Sequence, residues 1–138
     1  MPSLEYGQNL ILSGLWHGQF TYPTAAPPEF FTANLQERPE FLRGSTREVS
    51  RFGWSLGQTL YATIFGRRQG RDIMFTKVYD GRLSHHCIQY AGCLSADNAE
   101  IEGVWRVPGK WSGQFLMIRD AEAAFVSCRT AIARSSRL

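Results

Sequence analysis

The side chains in this sequence that can do chemistry are few, and they are set among aromatic rings at intervals of two. Glu48, Lys77, Tyr79 and His86 are the ones that titrate or exchange protons in such company. A histidine near a carboxylate and a phenol is the combination general acid–base catalysis uses, so His86, Glu48 or Tyr79 are the candidates for proton transfer on an apolar substrate, as in an isomerase or cyclase. The alternative for His86 is a hydrogen-bonded core residue beside tyrosines. No Ser-His-Asp order, glycine-rich phosphate loop or paired catalytic carboxylate can be assigned. His85 and His86 are adjacent and point to opposite faces of a strand, and His17 is expected outward, whereas zinc needs three or four converging ligands. Neither a metal nor a cofactor is expected. Arg67, Arg68 and Arg71 around Gly66 to Gly70 suit either a bound anion or a solvated hairpin tip.

Positioning these side chains falls to a series of short strands. Gly14, Trp16, Gly18, Phe20 and Tyr22 alternate with Leu15, His17, Gln19 and Thr21, a period of two that marks a strand with one buried face. Pro23, Pro27 and Pro28 end it. Phe31, Ala33 and Leu35 make either a second strand or a helical turn. A third runs from about Phe41 to Val49 and places Leu42, Gly44, Thr46 and Glu48 on one side. Thr59 to Phe65 forms a fourth, and Gly66 to Arg71 a turn. Asp72 to Tyr79, with Ile73, Phe75, Lys77 and Tyr79 on one face, is the fifth. Asp80-Gly81 then signals a tight hairpin. His86 to Leu94, Ile101 to Val107 and Trp111 to Arg119 complete eight, separated by Asp97-Asn98 and Pro108-Gly109.

Strands spaced near ten residues with short turns indicate a sandwich or a barrel. The recurrence of Gly14, Gly18, Gly44, Gly92, Gly103 and Gly113 on the faces assigned inward favours the barrel, since a small closed barrel needs sharp bends and close backbone approach. The fold class expected is therefore all-β, an eight-stranded antiparallel up-and-down barrel over about 14–119. Ala121, Ala124, Phe125, Cys128 and Ile132 follow at helical spacing, so 120–138 is expected to be a short C-terminal helix and tail of the same single domain, 1–138.

Composition excludes several classes. There are 15 Lys and Arg against 12 Asp and Glu, a formal charge of +3, with the excess gathered at Arg129, Arg134 and Arg137 rather than on one face, so nucleic-acid binding is not expected. Three cysteines, Cys87, Cys93 and Cys128, have no paired spacing. Cys87 and Cys93 fall in one strand about 20 Å apart and cannot bridge. Free thiols, read as buried or half-buried, suit a reducing compartment. With no apolar segment of membrane-spanning length and nothing resembling a signal peptide, a cytoplasmic location and no membrane partner are expected.

Gly14-Leu15-Trp16 in the first strand and Arg119 at the end of the last resemble the Gly-x-Trp opening and closing arginine of the calycins, the superfamily of lipocalins, fatty-acid-binding proteins and avidin-like barrels. Trp111 to Phe115 is similar to avidin-type strands, and Phe75 to Tyr79 with Gly103 to Trp105 to small bacterial proteins with a fatty-acid-binding-protein-like fold and unsettled function. The resemblance implies that Arg119 stacks on Trp16 and closes one end, a structural signature of Gly14, Trp16 and Arg119. Trp16-His17-Gly18 also resembles the opening of the haem-binding nitrobindins, but no histidine follows His86. The Arg-x-Tyr anchor of fatty-acid-binding proteins is missing, because the last strand ends Arg119-Asp120.

The inward faces together hold Phe20, Tyr22, Glu48, Phe75, Lys77, Tyr79, His86, Tyr90, Trp105, Phe115 and Met117, an aromatic lumen with a few ionisable groups. Buried Glu and Lys are costly unless paired, and Glu48 and Lys77 can pair across the lumen. A register slip of one residue would instead turn both to solvent. The leading expectation is non-catalytic binding of a small, partly apolar or amphipathic ligand, carboxylated if Lys77 and Arg119 are its charge partners. The barrel enzyme stands as the alternative. A third reading, protein interaction through exposed Trp54, Tyr61 and Phe65, has a homodimer as its simplest form.

Overall fold

One parity of each strand is predominantly apolar and the other more polar, so each segment buries one face only when it curls around a shared interior. The computed structural model describes residues 11–51, 56–81 and 87–121. Its strands are β1 (Gly14–Thr21), β2 (Glu29–Glu37), β3 (Leu42–Val49), β4 (Thr59–Gln69), β5 (Asp72–Tyr79), β6 (Cys87–Leu94), β7 (Glu100–Val107) and β8 (Trp111–Arg119). Each pairs antiparallel with the next, and β8 returns to β1 with Trp16 opposite Arg119 and Phe20 opposite Phe115, which closes the barrel. The C-terminal helix expected at 120–138 falls, beyond Ala121, outside the described residues, as do Trp54, His85, His86 and Cys128.

Of the two readings open for the second segment the strand is the one formed, Glu29–Glu37, with Glu29, Phe31, Ala33, Leu35 and Glu37 all buried on its inward parity. One segment differs from the sequence reading. β4 runs on through Gly66 to Gln69, where a turn was expected. A Cβ on Gly66 would sit 2.0 Å from the Met74 carbonyl oxygen and 2.5 Å from Phe75 Cα, so this glycine lets β5 approach rather than ending the strand. The turn falls at Gly70, whose φ of 60° is the left-handed conformation glycine adopts freely. The thiols of Cys87 and Cys93 are exposed, not buried or half-buried, because they share the outward parity of Gln89 and Ala91.

The two ends of the barrel are built differently. At the end where β1 begins and β8 finishes, the Arg119 guanidinium lies 4.4 Å from the Trp16 ring centroid. It donates to the carbonyls of Ser13 (3.1 Å), Asn98 (3.3 Å) and Ile11. Trp16 in turn donates its indole N–H to Leu12 at 2.9 Å. Beside them the buried Glu37 carboxylate accepts from the Leu12 amide (2.9 Å) and from Arg68 Nε (2.7 Å). Leu12, Leu35, Leu42, Ile64, Ile73, Leu94, Ile101 and Met117 fill the space behind this plug. Each such side chain contributes about 1.5–3 kcal/mol on burial. The opposite end carries the Glu48–Lys77 pair and most of the aromatic rings.

Candidate functional site

The inward rows of β3 and β5 run toward the second end and finish on Glu48 and on Lys77 and Tyr79. Between them on β4 stands Ala62, paired with Thr46 on one side and Tyr79 on the other. This small residue leaves the longer side chains room to meet above it. Lys77 Nζ donates to Glu48 Oε1 at 2.9 Å, and the Tyr79 hydroxyl donates to the same oxygen at 2.7 Å. Lys77 is fully buried. Its ammonium lies 5.2, 4.7, 4.8 and 5.9 Å from the ring centroids of Phe20, Phe31, Tyr79 and Tyr90. Both the carboxylate and the π faces stabilise the cation, as burial of an ammonium requires.

Burial pushes the Lys77 ammonium below the usual lysine range, while Glu48 and then Glu29 act against that shift. The Tyr79 and Tyr90 phenols are pushed up by burial first and by the Glu48 charge next. Tyr22 moves the same way, through burial and then its hydrogen bond to Glu29. All three therefore hold their protons at neutral pH. Tyr79 is a donor to Glu48.

Above this floor lies a cavity of about 370 Å³, bounded by Phe20, Tyr22, Tyr79, Tyr90, Trp105 and Trp111, with Ile88, Val107 and Lys110 at its edge. The walls are tied to one another. Tyr22 stacks on Trp111 with centroids 5.1 Å apart, and Trp105 meets Phe20, Tyr22 and Trp111 edge-on at 6.1, 5.7 and 5.6 Å. Trp105 also donates its indole N–H to the Thr21 carbonyl at 2.9 Å. Its ring lies over Gly113, opposite it on β8, where a Cβ would come 2.6 Å from the indole nitrogen. Two other furrows lie on the barrel, one past Phe30, Arg47 and Tyr61 and one past Phe65, Met74 and Val104. The chain matches no protein-family model, no curated protein and no solved structure.

Of the residues expected in the lumen, Phe20, Tyr22, Tyr79, Tyr90 and Trp105 line the cavity, and Glu48 and Lys77 lie beneath it. Phe75 stacks on Tyr90 at 4.7 Å, Phe115 meets Tyr90 edge-on at 4.9 Å, and Met117 is in the aliphatic core; these three are one layer deeper. His86 lies outside the described residues. Arg119 is at the far end with its guanidinium bound to three carbonyls, and Lys77 is bound to Glu48. The pair expected to hold a ligand carboxylate is thus split between opposite ends. Among the described residues, no group of three or more His, Cys, Asp or Glu side chains converges as a metal site. His17 faces outward and contacts Asp120 at 2.6 Å. Tyr61 and Phe65 are exposed, as expected.

Four wall residues and one carboxylate were missed. Ile88, Val107 and Trp111 share parity with inward neighbours already identified, and Lys110 sits in the turn beside them. Glu29 has the parity of Phe31, Ala33 and Leu35, and that alternation was the signal available for it.

Proposed function

We propose that this protein is a calycin-like barrel that binds a small, largely apolar molecule in its open end, without chemical transformation. The observation that carries the reading is the cavity of about 370 Å³ whose walls are six aromatic rings. Ligand sites in proteins are concave, mostly apolar and furnished with a few oriented polar groups, and the mouths of barrels are a preferred location. The Arg119–Trp16 stack at the opposite end supports the calycin assignment. Trp105 and Trp111 are in the wall, so their emission reports directly on occupancy. Titration with small aromatic and aliphatic compounds should give a saturable change in emission and a raised melting temperature. Trp111→Ala should weaken the binding without lowering the melting temperature of the free protein by more than a few degrees. Failure of every compound to produce either signal overturns the proposal.

A further inference from the structure

The direction of the hydrogen bonds around the cavity specifies the charge of what it accepts. The Tyr22 hydroxyl donates to Glu29 Oε2, and the Tyr79 hydroxyl donates to Glu48 Oε1. Each phenol has spent its only proton on a carboxylate, so each presents lone pairs alone to a ligand. Tyr90, 2% exposed, stands in the same wall with no hydrogen-bond partner for its hydroxyl among the described residues, and can accept as well as donate. The local charge has the same sign. Glu48 is balanced by Lys77 in an ion pair, whereas Glu29, a carboxylate buried at the start of β2, has no salt-bridge partner among the described residues. Lys110 is the cation at the edge, exposed and screened by solvent.

Resting on the reading of this cavity as a ligand site, we propose that it takes an organic cation: a protonated amine carried on an apolar body. Its N–H groups would meet the phenol oxygens of Tyr22 and Tyr79, its charge would balance Glu29, and its body would lie against Trp105 and Trp111. The floor already holds one ammonium in this manner, Lys77 between a carboxylate and four rings. A carboxylate ligand would find two phenols unable to donate and a carboxylate of like charge behind them.

Phenylbutylammonium, phenylbutanol and phenylbutanoate share one apolar body and differ in charge. Titrated against tryptophan emission, with calorimetry as a second readout, the ammonium should bind on the order of tenfold more tightly than the alcohol, and the carboxylate most weakly. Glu29→Gln keeps an acceptor for Tyr22 and removes the charge, so it should erase the advantage of the ammonium while leaving the alcohol unchanged. Lys110→Gln, at an exposed position, should widen that advantage, and it carries the test should Glu29→Gln melt near the assay temperature. Saturable binding of all three with the carboxylate equal to or tighter than the ammonium overturns the cation and leaves lumenal binding standing. So does an ammonium advantage that survives Glu29→Gln or shrinks in Lys110→Gln. No saturable response to any of the three overturns the ligand site itself, and the cation with it.

Discussion

Replacing Lys77 by Met tests whether the polar floor is a desolvated ion pair. The two side chains are 0% and 3% exposed, and their charged atoms are 2.9 Å apart. Methionine preserves the unbranched stem against the rings of Phe20 and Phe31, so the substitution removes the charge and the donor with little change in packing. It leaves the Glu48 carboxylate with the Tyr79 hydroxyl as its remaining donor in that cluster. Stranding one member of a buried pair costs about 3–5 kcal/mol. Lys77→Met should therefore lose about 3–5 kcal/mol relative to wild type in urea unfolding followed by tryptophan emission at neutral pH.

Lys77→Met/Glu48→Gln, which keeps an acceptor for Tyr79 and carries no charge, should fall within about 2 kcal/mol of wild type. A single variant that loses less than about 1 kcal/mol, or a double variant that loses more than the single one, refutes the reasoning.

Four further outcomes follow from the same geometry. Thr46 Oγ1 is buried with no hydrogen-bond partner among the described residues, so Thr46→Val should raise stability by about 1 kcal/mol in thermal or urea unfolding; a loss of that size would contradict it. Arg119→Lys replaces a planar group that stacks on Trp16 and reaches three carbonyls with a point charge, and should lower the urea midpoint by the equivalent of about 1–3 kcal/mol. Gly113→Ala brings a methyl to 2.0 Å from the Thr21 carbonyl oxygen and 2.6 Å from Trp105, and should cost about 1–3 kcal/mol while shifting the Trp105 emission. With the Tyr22, Tyr79 and Tyr90 phenols raised chiefly by burial, the unfolded chain releases protons the folded one keeps once the pH passes about 10. Stability should then fall by up to about 4 kcal/mol per pH unit, Lys77 no longer contributing once the unfolded lysine has also deprotonated near about pH 10.4; a flat alkaline limb would refute the burial of the three phenols.

Alternation made most of the barrel legible, because a period of two states which face of a strand looks inward. Lys77, Tyr79 and Glu48 were placed in the lumen on that ground, whereas Trp16 was set against Arg119 by the resemblance of Gly14-Leu15-Trp16 and Arg119 to the calycin signature. Alternation does not state height along the barrel axis. Tilt and shear stagger each strand against the next, so inward residues of equal parity come to lie in different layers. Phe75 and Met117 were read as ligand walls for this reason and sit below the cavity, while Trp111 and Val107 are in its wall. The same ambiguity paired Arg119 with Lys77 as charge partners of one ligand. Gly66 misled in another way: its glycine signal marked a close backbone contact and was read as a turn.

The axial layering also separates two demands that conflict in a small barrel. Side chains that enclose a ligand must leave space, which forfeits dispersion contacts, whereas side chains that hold the fold must leave none. Here the end sealed by Trp16 and Arg119 is backed by a fully buried aliphatic layer, and the open half has rings at its walls and a neutral ion pair at its floor. Substitutions separated by more than about 10 Å with no shared partners combine additively. Arg119→Lys should accordingly change stability and leave ligand affinity alone, whereas Trp111→Ala should do the reverse. The two substitutions together should show the sum of each effect, within about 0.5 kcal/mol, and a larger coupling would mean that the layers do not act independently.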